Sequence, residues 1–365
     1  MKTLNIYVTR SFVVTFLMAT GLLTFGLLGA HLVKIFEYLS KGIPISVAGM
    51  FMLYVLPVIM TMTIPWAILV SIMLVFGRLS ADSEITAMRA CGVSILQIIS
   101  PILVLTIMLS SVCLFLQMDA GPRLLGEARS LVKEIGLNQP LALLDPGRPI
   151  EFEGNYIYID DRVGENEIRD IQIYRMDKER KKVLQDITAS KGKVLVDKEK
   201  QILTIELYNC TIIASVDNEP GQQTRTFSKQ FIFSINYGKE LNSAQIGPKI
   251  KYMNFKELFA HIRLYSKRHM DTTPLEVELN QRIALALSPI AFVLLGLPMA
   301  IRTSRRETSI GLFLSVILMG LYFLSIIIND SLTNYPKLFP QYLLWIPVVG
   351  YHIAGIIMIR RIVKH

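Results

Sequence analysis

Six long apolar runs constrain most strongly what this chain can fold into. They cover residues 11–33, 47–77, 95–116, 283–301, 310–328 and 342–359. A helix needs about 20 apolar residues to cross a bilayer core, so each run predicts a membrane-spanning helix. Only 18% of the residues are charged, whereas soluble domains carry about 25%. The chain is therefore expected to be an integral membrane protein.

A polar region separates the third and fourth runs. Leu203, Ile205 and Leu207 alternate with polar neighbours, which predicts a half-buried strand. Gly154-Asn155 is typical of a two-residue hairpin turn. A further strand face is expected to hold Phe227, Phe231, Phe233 and Ile235. We predict an antiparallel sandwich or jelly roll at about 145–237, whose apolar interior is either an ordinary core or a groove for a hydrocarbon ligand.

The predicted fold class is an α-helical membrane protein with six transmembrane helices and an antiparallel β-jelly-roll domain between helices 3 and 4. Residues 1–117 would hold the first three helices, 118–273 the β region and 274–365 the last three helices. Six spans place both termini on one side of the membrane.

The distribution of lysine and arginine among the loops indicates which side of the membrane holds the termini. With the termini in the cytoplasm, the short inside segments carry Lys2, Arg10, Arg78, Arg89, Arg302, Arg305, Arg306, Arg360, Arg361 and Lys364. The short outside loops carry Lys34, Lys41 and Lys337. Lysine and arginine concentrate in cytoplasmic loops, so the β domain is expected outside.

The segment 82–92 is short and polar, between the second and third runs. Ser80 or Asp82 is a candidate N-cap, Gly92 can end the helix in a left-handed conformation, and Ile85 and Met88 share one face. A helix this short is marginal alone. It either docks on a partner or is a solvated connector.

Catalytic motifs are missing from the sequence. It contains no phosphate-binding G-x-x-x-x-G-K-[ST], no H-E-x-x-H, no G-x-S-x-G and no C-x-x-C. We expect no enzyme activity, cofactor, metal or nucleic-acid partner, and no disulfide among Cys91, Cys113 and Cys210. The net charge of +9 favours anionic lipid headgroups as partners. Because the spans lack deep charges that would suit an ion-coupled carrier, a separate ATPase is the simplest energy source.

Three local motifs carry a resemblance to a known family. They are DSEITAMRACG at 82–92, Glu278-Leu279-Asn280-Gln281-Arg282 at the start of the fourth span, and Gly121-Pro122 after the third. Together with the order of three spans, β domain and three spans, they resemble the LptF/LptG (YjgP/YjgQ) permeases of the lipopolysaccharide-export ABC transporter. The coupling segment and the Glu278–Arg282 stretch favour LptF, whereas Lys34 and Lys41 are similar to a basic cluster at the end of span one in LptG.

The resemblance implies an inner-membrane subunit that pairs with a paralogous permease above a cytoplasmic ABC ATPase dimer. It also implies a periplasmic jelly-roll bridge protein, a single-span regulatory subunit and lipopolysaccharide as partners. The coupling helix, 81–92, would meet the ATPase through Asp82, Ser83, Glu84, Ile85, Met88 and Arg89.

Four cations are candidates for binding lipid A phosphates: Lys34, Lys41, Arg123 and Arg129. Any one of them can instead extend toward headgroups without a specific role.

The leading hypothesis is a permease subunit that extracts lipopolysaccharide from the inner membrane. An alternative is an ATPase-coupled signalling protein that carries no lipid. A lipid-modifying enzyme is a third class, disfavoured by the missing catalytic residues.

Overall fold

The structure is a computed structural model. It describes residues 2–40, 44–138, 144, 147, 149–152, 155–164, 166–176, 183–197, 199–215, 223–238, 250–303 and 308–364. By contacts the chain divides into two compact units. The first comprises Met1–Glu37, Ala48–Ala128 and Lys249–His365, and the second comprises Tyr38–Val47 and Arg129–Pro248.

Ten α-helices are found in the described part of the chain. Those before the β region are α1 Lys2–Ser40, α2 Ile45–Ala81, α3 Glu84–Ala90, α4 Ile95–Phe115 and α5 Gly121–Asn138. Those after it are α6 Phe255–Lys267, α7 Thr273–Thr303, α8 Thr308–Ser331, α9 Pro340–Leu343 and α10 Trp345–Lys364. A π turn, Leu116–Ala120, joins α4 to α5, and short 3₁₀ turns occupy Ile250–Tyr252, Leu332–Asn334 and Pro336–Leu338.

Six helical stretches of the described chain are long and apolar enough to cross a membrane. They match the six apolar runs, so the prediction of a six-span helical protein is confirmed. Both α2 and α7 continue through their internal prolines.

Helices α2 and α7 form the centre of the bundle. Their most apolar stretches are 67% and 72% buried, against 11% for the first span. Phe76 on α2 and Phe292 on α7 are completely buried. Since lipid tails are as apolar as the side chains, close packing and hydrogen bonds hold such helices together.

Buried hydroxyls supply some of those hydrogen bonds. The Tyr322 hydroxyl donates to the Ala284 carbonyl at 2.8 Å, which ties α8 to α7. The Ser110 hydroxyl donates to the Ala286 carbonyl and ties α4 to α7. These bonds satisfy polar groups that would be costly to leave unpaired in an apolar interior.

The second unit contains an antiparallel sheet. Its described strands are β1 Ile150–Phe152, β2 Asn155–Val163, β3 Glu167–Met176, β4 Val183–Asp197, β5 Ile202–Ser215 and β6 Gln223–Asn236. They pair in sequence order, β1-β2-β3-β4-β5-β6. The expected β domain between spans three and four is confirmed. In the described strands its topology is an up-and-down meander, because each strand pairs with the next along the chain.

Alternating residues form the core of this sheet. Ile157 pairs with Ile173, which pairs with Ile187, and all three are buried. Leu203 and Ile205 oppose Ile235 and Phe233 across β5 and β6. Such cross-strand apolar pairs stabilise a sheet, and burial of one face fixes its register.

The structure differs from the strand prediction in two details. Phe227 is 73% exposed, because it lies in the solvent-exposed first part of β6, where Arg225 stacks 5.1 Å from the centre of its ring. The first hairpin exists, since Phe152 pairs with Asn155. Asn155 is therefore a strand residue, and Gly154 lies outside the described residues.

Candidate coupling and lipid-binding sites

Helix α3 begins differently from the prediction. Its N-cap is Ser83, in a left-handed conformation (φ 59°) and without a side-chain cap bond. The proposed caps are both wrong. The Ser80 hydroxyl instead donates to the Ile301 carbonyl at 2.8 Å, which ties the end of α2 to α7. The Asp82 amide belongs to the end of α2, where it donates to the Arg78 carbonyl.

The end of α3 is as predicted. Gly92 has φ +84°, its amide donates to the Arg89 carbonyl at 2.9 Å, and the Val93 amide donates to the Met88 carbonyl at 3.1 Å. This pair of bonds is the Schellman ending, which favours glycine at the left-handed position. A sharp stop therefore separates α3 from α4.

The apolar face of α3 packs on the protein's own transmembrane bundle. Ile85 is 5% exposed and belongs to the buried core, and Met88 packs against the same core. The sequence showed that this face needed a partner, and the structure supplies that partner within the chain. Ile85 and Met88 hold the helix in place.

The remaining side chains form the exposed surface of the segment. Asp82, Ser83 and Arg89 are exposed, and Glu84 is partly exposed. The Tyr7 hydroxyl of α1 donates to Glu84 Oε1 at 3.3 Å. Acidic residues at the start of α3 and a basic residue near its end suit the helix dipole. The exposed surface of α3 therefore presents charged side chains on a helix that the transmembrane bundle holds in place.

Two of the four lipid-binding candidates, Arg123 and Arg129, have described side chains. The Lys34 side chain and all of Lys41 lie outside the described residues. Arg123 is exposed and pairs with Asp119 at 3.3 Å. Arg129 is partly buried and has an interaction of its own. Each of the last two thus has an interaction within the chain.

Arg282 is a residue whose role the sequence did not reveal. Although it is only 3% exposed, its guanidinium donates to Glu278 Oε1 at 2.8 Å and to the Met253 carbonyl at 2.6 Å. It also donates to the carbonyls of Ile250 and Lys251, both at 3.2 Å. We call these contacts the Arg282 clamp.

The Arg282 clamp fastens the turn before α6 to α7. Glu278 and Arg282 are four apart on one helix, a spacing that brings them together. A buried arginine is tolerated when its charge is paired and its donors are used. In the sequence, the four-residue spacing of Glu278 and Arg282 could have indicated their ion pair. The backbone carbonyls that accept the other hydrogen bonds of Arg282 belong to a turn about 30 residues away, which the sequence did not indicate.

The fold and these sites define a class: a multi-pass membrane protein with a short, rigidly held helix between spans two and three and a β domain between spans three and four. A family model for the lipopolysaccharide export system permease LptF/LptG matches residues 6–361. The chain belongs to this family. The comparison with curated proteins finds no match.

Proposed function

We propose that this chain is one of two permeases in an ABC transporter that extracts lipopolysaccharide from the inner membrane. Family membership gives lipopolysaccharide export at the level of the family. The observation that supports ATPase coupling is α3, whose apolar face is anchored on the bundle while its charged face is exposed. A force applied to that face would reach the bundle through Ile85 and Met88.

The coupling partner in this proposal is a cytoplasmic ATPase dimer. Asp82, Ser83, Glu84 and Arg89 provide its polar contacts. The test is purification of the full-length chain from its native membrane with its partners. Recovery of an ATPase and a second permease supports the proposal. Recovery of the chain with an ATPase but with no bound or transported lipopolysaccharide would favour signalling instead.

The first span supports a second permease as partner. It is the least buried of the six spans found in the described part of the chain, and a Cβ placed on Gly21, Gly26 or Gly29 would meet nothing within 4 Å. Small residues allow close helix contact in membranes. We infer that α1 faces the partner permease and helps to form a lateral gate for the lipid.

The sheet supports delivery to a periplasmic bridge. In the described sheet β6 is an edge strand of 14 residues. An open edge accepts a further strand through backbone hydrogen bonds. A bridge protein built of similar strands would continue the sheet there, and the single-span regulatory subunit would join the same assembly.

The proposed orientation predicts cysteine labelling. Cys91, exposed beside α3, should react with an impermeant maleimide in inverted membrane vesicles but not in intact spheroplasts. Cys210 should remain unlabelled in both, because it is buried and burial raises the pKa of its thiol. Thiolates are the reactive form.

A Cys91→Ser, Lys200→Cys variant is the matched control, since Lys200 is an exposed residue of the β region. It should be labelled in spheroplasts. Labelling of Cys91 in spheroplasts would show that the orientation is reversed.

Charge reversal tests the proposed lipid site. Lys34→Asp with Lys41→Asp is expected to reduce crosslinking of lipopolysaccharide, because two cations that attract lipid phosphates become anions. Each lysine near an anionic surface contributes about 1 kcal/mol, so the loss should be at least roughly tenfold. Arg263→Asp with Lys267→Asp, at exposed positions on α6, is the control for the same change in net charge. Equal crosslinking in all three proteins would remove these lysines from the proposed site.

A further inference from the structure

A pocket in the first unit borders the Arg282 clamp, whose Glu278 and Arg282 are among its lining residues. It lies between α2, the π turn and α7, and its volume is about 170 Å³, slightly more than the roughly 150 Å³ cavity that holds benzene. The lining residues used below are Val58, Met62, Gln117, Lys251, Gln281 and Leu285. The pocket therefore admits a chemical group rather than a whole lipid.

The pocket lies where apolar helix gives way to polar helix. The apolar run that begins in α4 ends in the π turn, at Leu116 and Gln117. The polar start of α7 ends at Gln281 and Arg282, just before Leu285. We place the boundary between the hydrocarbon and the headgroups of a bilayer at this change in composition. One half of the lining thus suits an acyl chain and the other half a headgroup.

Both walls of the pocket are fixed by the protein. On one side the π turn brings Gly121 so close to Leu116 that an added Cβ would lie 2.6 Å from the Leu116 carbonyl oxygen. Single π turns often occur at functional sites. On the other side the Arg282 clamp holds the backbone carbonyl of Lys251. The pocket is preformed, which lowers the cost of binding.

Several of its polar groups can donate hydrogen bonds to an anion. The charge of Arg282 is offset by its ion pair with Glu278. Lys251 is the exposed cation of the lining. Among the described residues, neither the Gln117 nor the Gln281 side chain has a hydrogen-bond partner. An ammonium and two free amides can surround a phosphate, while Val58, Met62 and Leu285 contact hydrocarbon.

We propose that this pocket binds the phosphate group of an anionic glycerophospholipid, with the start of one acyl chain against Met62 and Leu285. A lipopolysaccharide phosphate shares the same chemistry. The small volume and the single cation favour a glycerophospholipid, since lipid A carries more phosphates and acyl chains. The proposal goes beyond lipopolysaccharide export and does not depend on it.

The test uses the full-length chain in nanodiscs of phosphatidylglycerol and phosphatidylcholine, with retained lipid counted by native mass spectrometry. Lys251→Ala keeps the backbone carbonyl of the Arg282 clamp and is expected to reduce retained phosphatidylglycerol roughly fivefold. Met62→Trp, which fills the apolar half, is expected to abolish retention. Lys256→Ala is the matched control, because Lys256 is exposed on α6 and does not line the pocket; it should retain the lipid.

Two results would overturn the assignment. One is wild-type retention of phosphatidylglycerol in both pocket variants. The other result is obtained with lipopolysaccharide added to the nanodiscs. If the pocket variants lose bound lipopolysaccharide but keep phosphatidylglycerol, lipopolysaccharide is the occupant of the pocket. Lipopolysaccharide export, measured separately in cells, distinguishes failure of this proposal from failure of the proposed function. Matched thermal unfolding of the variants shows that they are folded.

Discussion

Glu84→Ala is expected to weaken binding of the ATPase roughly 30-fold or more while the chain still inserts and folds. Loss of one partner from a charge pair at an interface costs about 2–5 kcal/mol. Glu84 has a single described side-chain bond, from the exposed Tyr7 hydroxyl, so its removal should cost the fold little. The measurement is the amount of ATPase that co-purifies with the chain, together with lipid-stimulated ATP hydrolysis.

Tyr7→Phe distinguishes the observed contact of Glu84 with Tyr7 from its proposed contact with the ATPase. It removes the 3.3 Å bond and keeps the carboxylate. If Glu84 contacts the ATPase, this variant should couple like the wild type. If Tyr7→Phe reproduces the defect of Glu84→Ala, the carboxylate acts by holding α3 to α1. Normal assembly and export by Glu84→Ala would exclude it from coupling.

Arg282→Met is expected to destabilise the first unit by about 3–5 kcal/mol, the usual cost of removing one partner of a buried ion pair. The change leaves Glu278 without its partner and removes the donor from the carbonyls of Ile250, Lys251 and Met253. The measurement is the temperature at which half of the detergent-solubilised protein loses its monodisperse peak.

Two variants identify the cause of that loss. Arg263→Met removes an exposed arginine that stacks on Phe259 at 4.8 Å, and contacts of that kind contribute only about 0.5–1 kcal/mol. Glu278→Met combined with Arg282→Met removes both buried charges and should recover part of the stability. Equal stability of Arg282→Met and Arg263→Met would contradict a structural role for the Arg282 clamp.

Features that depend only on residues close together in the sequence follow from sequence patterns. At the start of α6, Asn254 and Glu257 lie three residues apart and form a capping box with both reciprocal bonds at 3.0 Å, which needs no distant partner. Gly92 ends α3 for the same kind of reason, since its own backbone conformation is what the turn requires. The six spans follow from their length and composition, and the apolar alternation of β5 fixed its buried face.

Partners distant in the sequence could not be read from it. Ser80 was a good candidate cap for α3, but the Ile301 carbonyl, 221 residues away, takes its hydrogen bond. Phe227 shares the spacing of Phe231 and Phe233, yet it lies where the sheet is open to solvent. Spacing predicts which residues share a face, and only neighbouring elements decide whether that face is covered.

The sequence by itself determined a six-span membrane protein with a β domain between its halves, because bilayer thickness and strand alternation act on consecutive residues. Tertiary structure alone decided that Ile85 and Met88 face the protein's own bundle and leave a charged surface exposed. It also decided that Arg282 holds the turn before α6. Both outcomes depend on which distant backbone and side-chain groups a fold brings within contact distance.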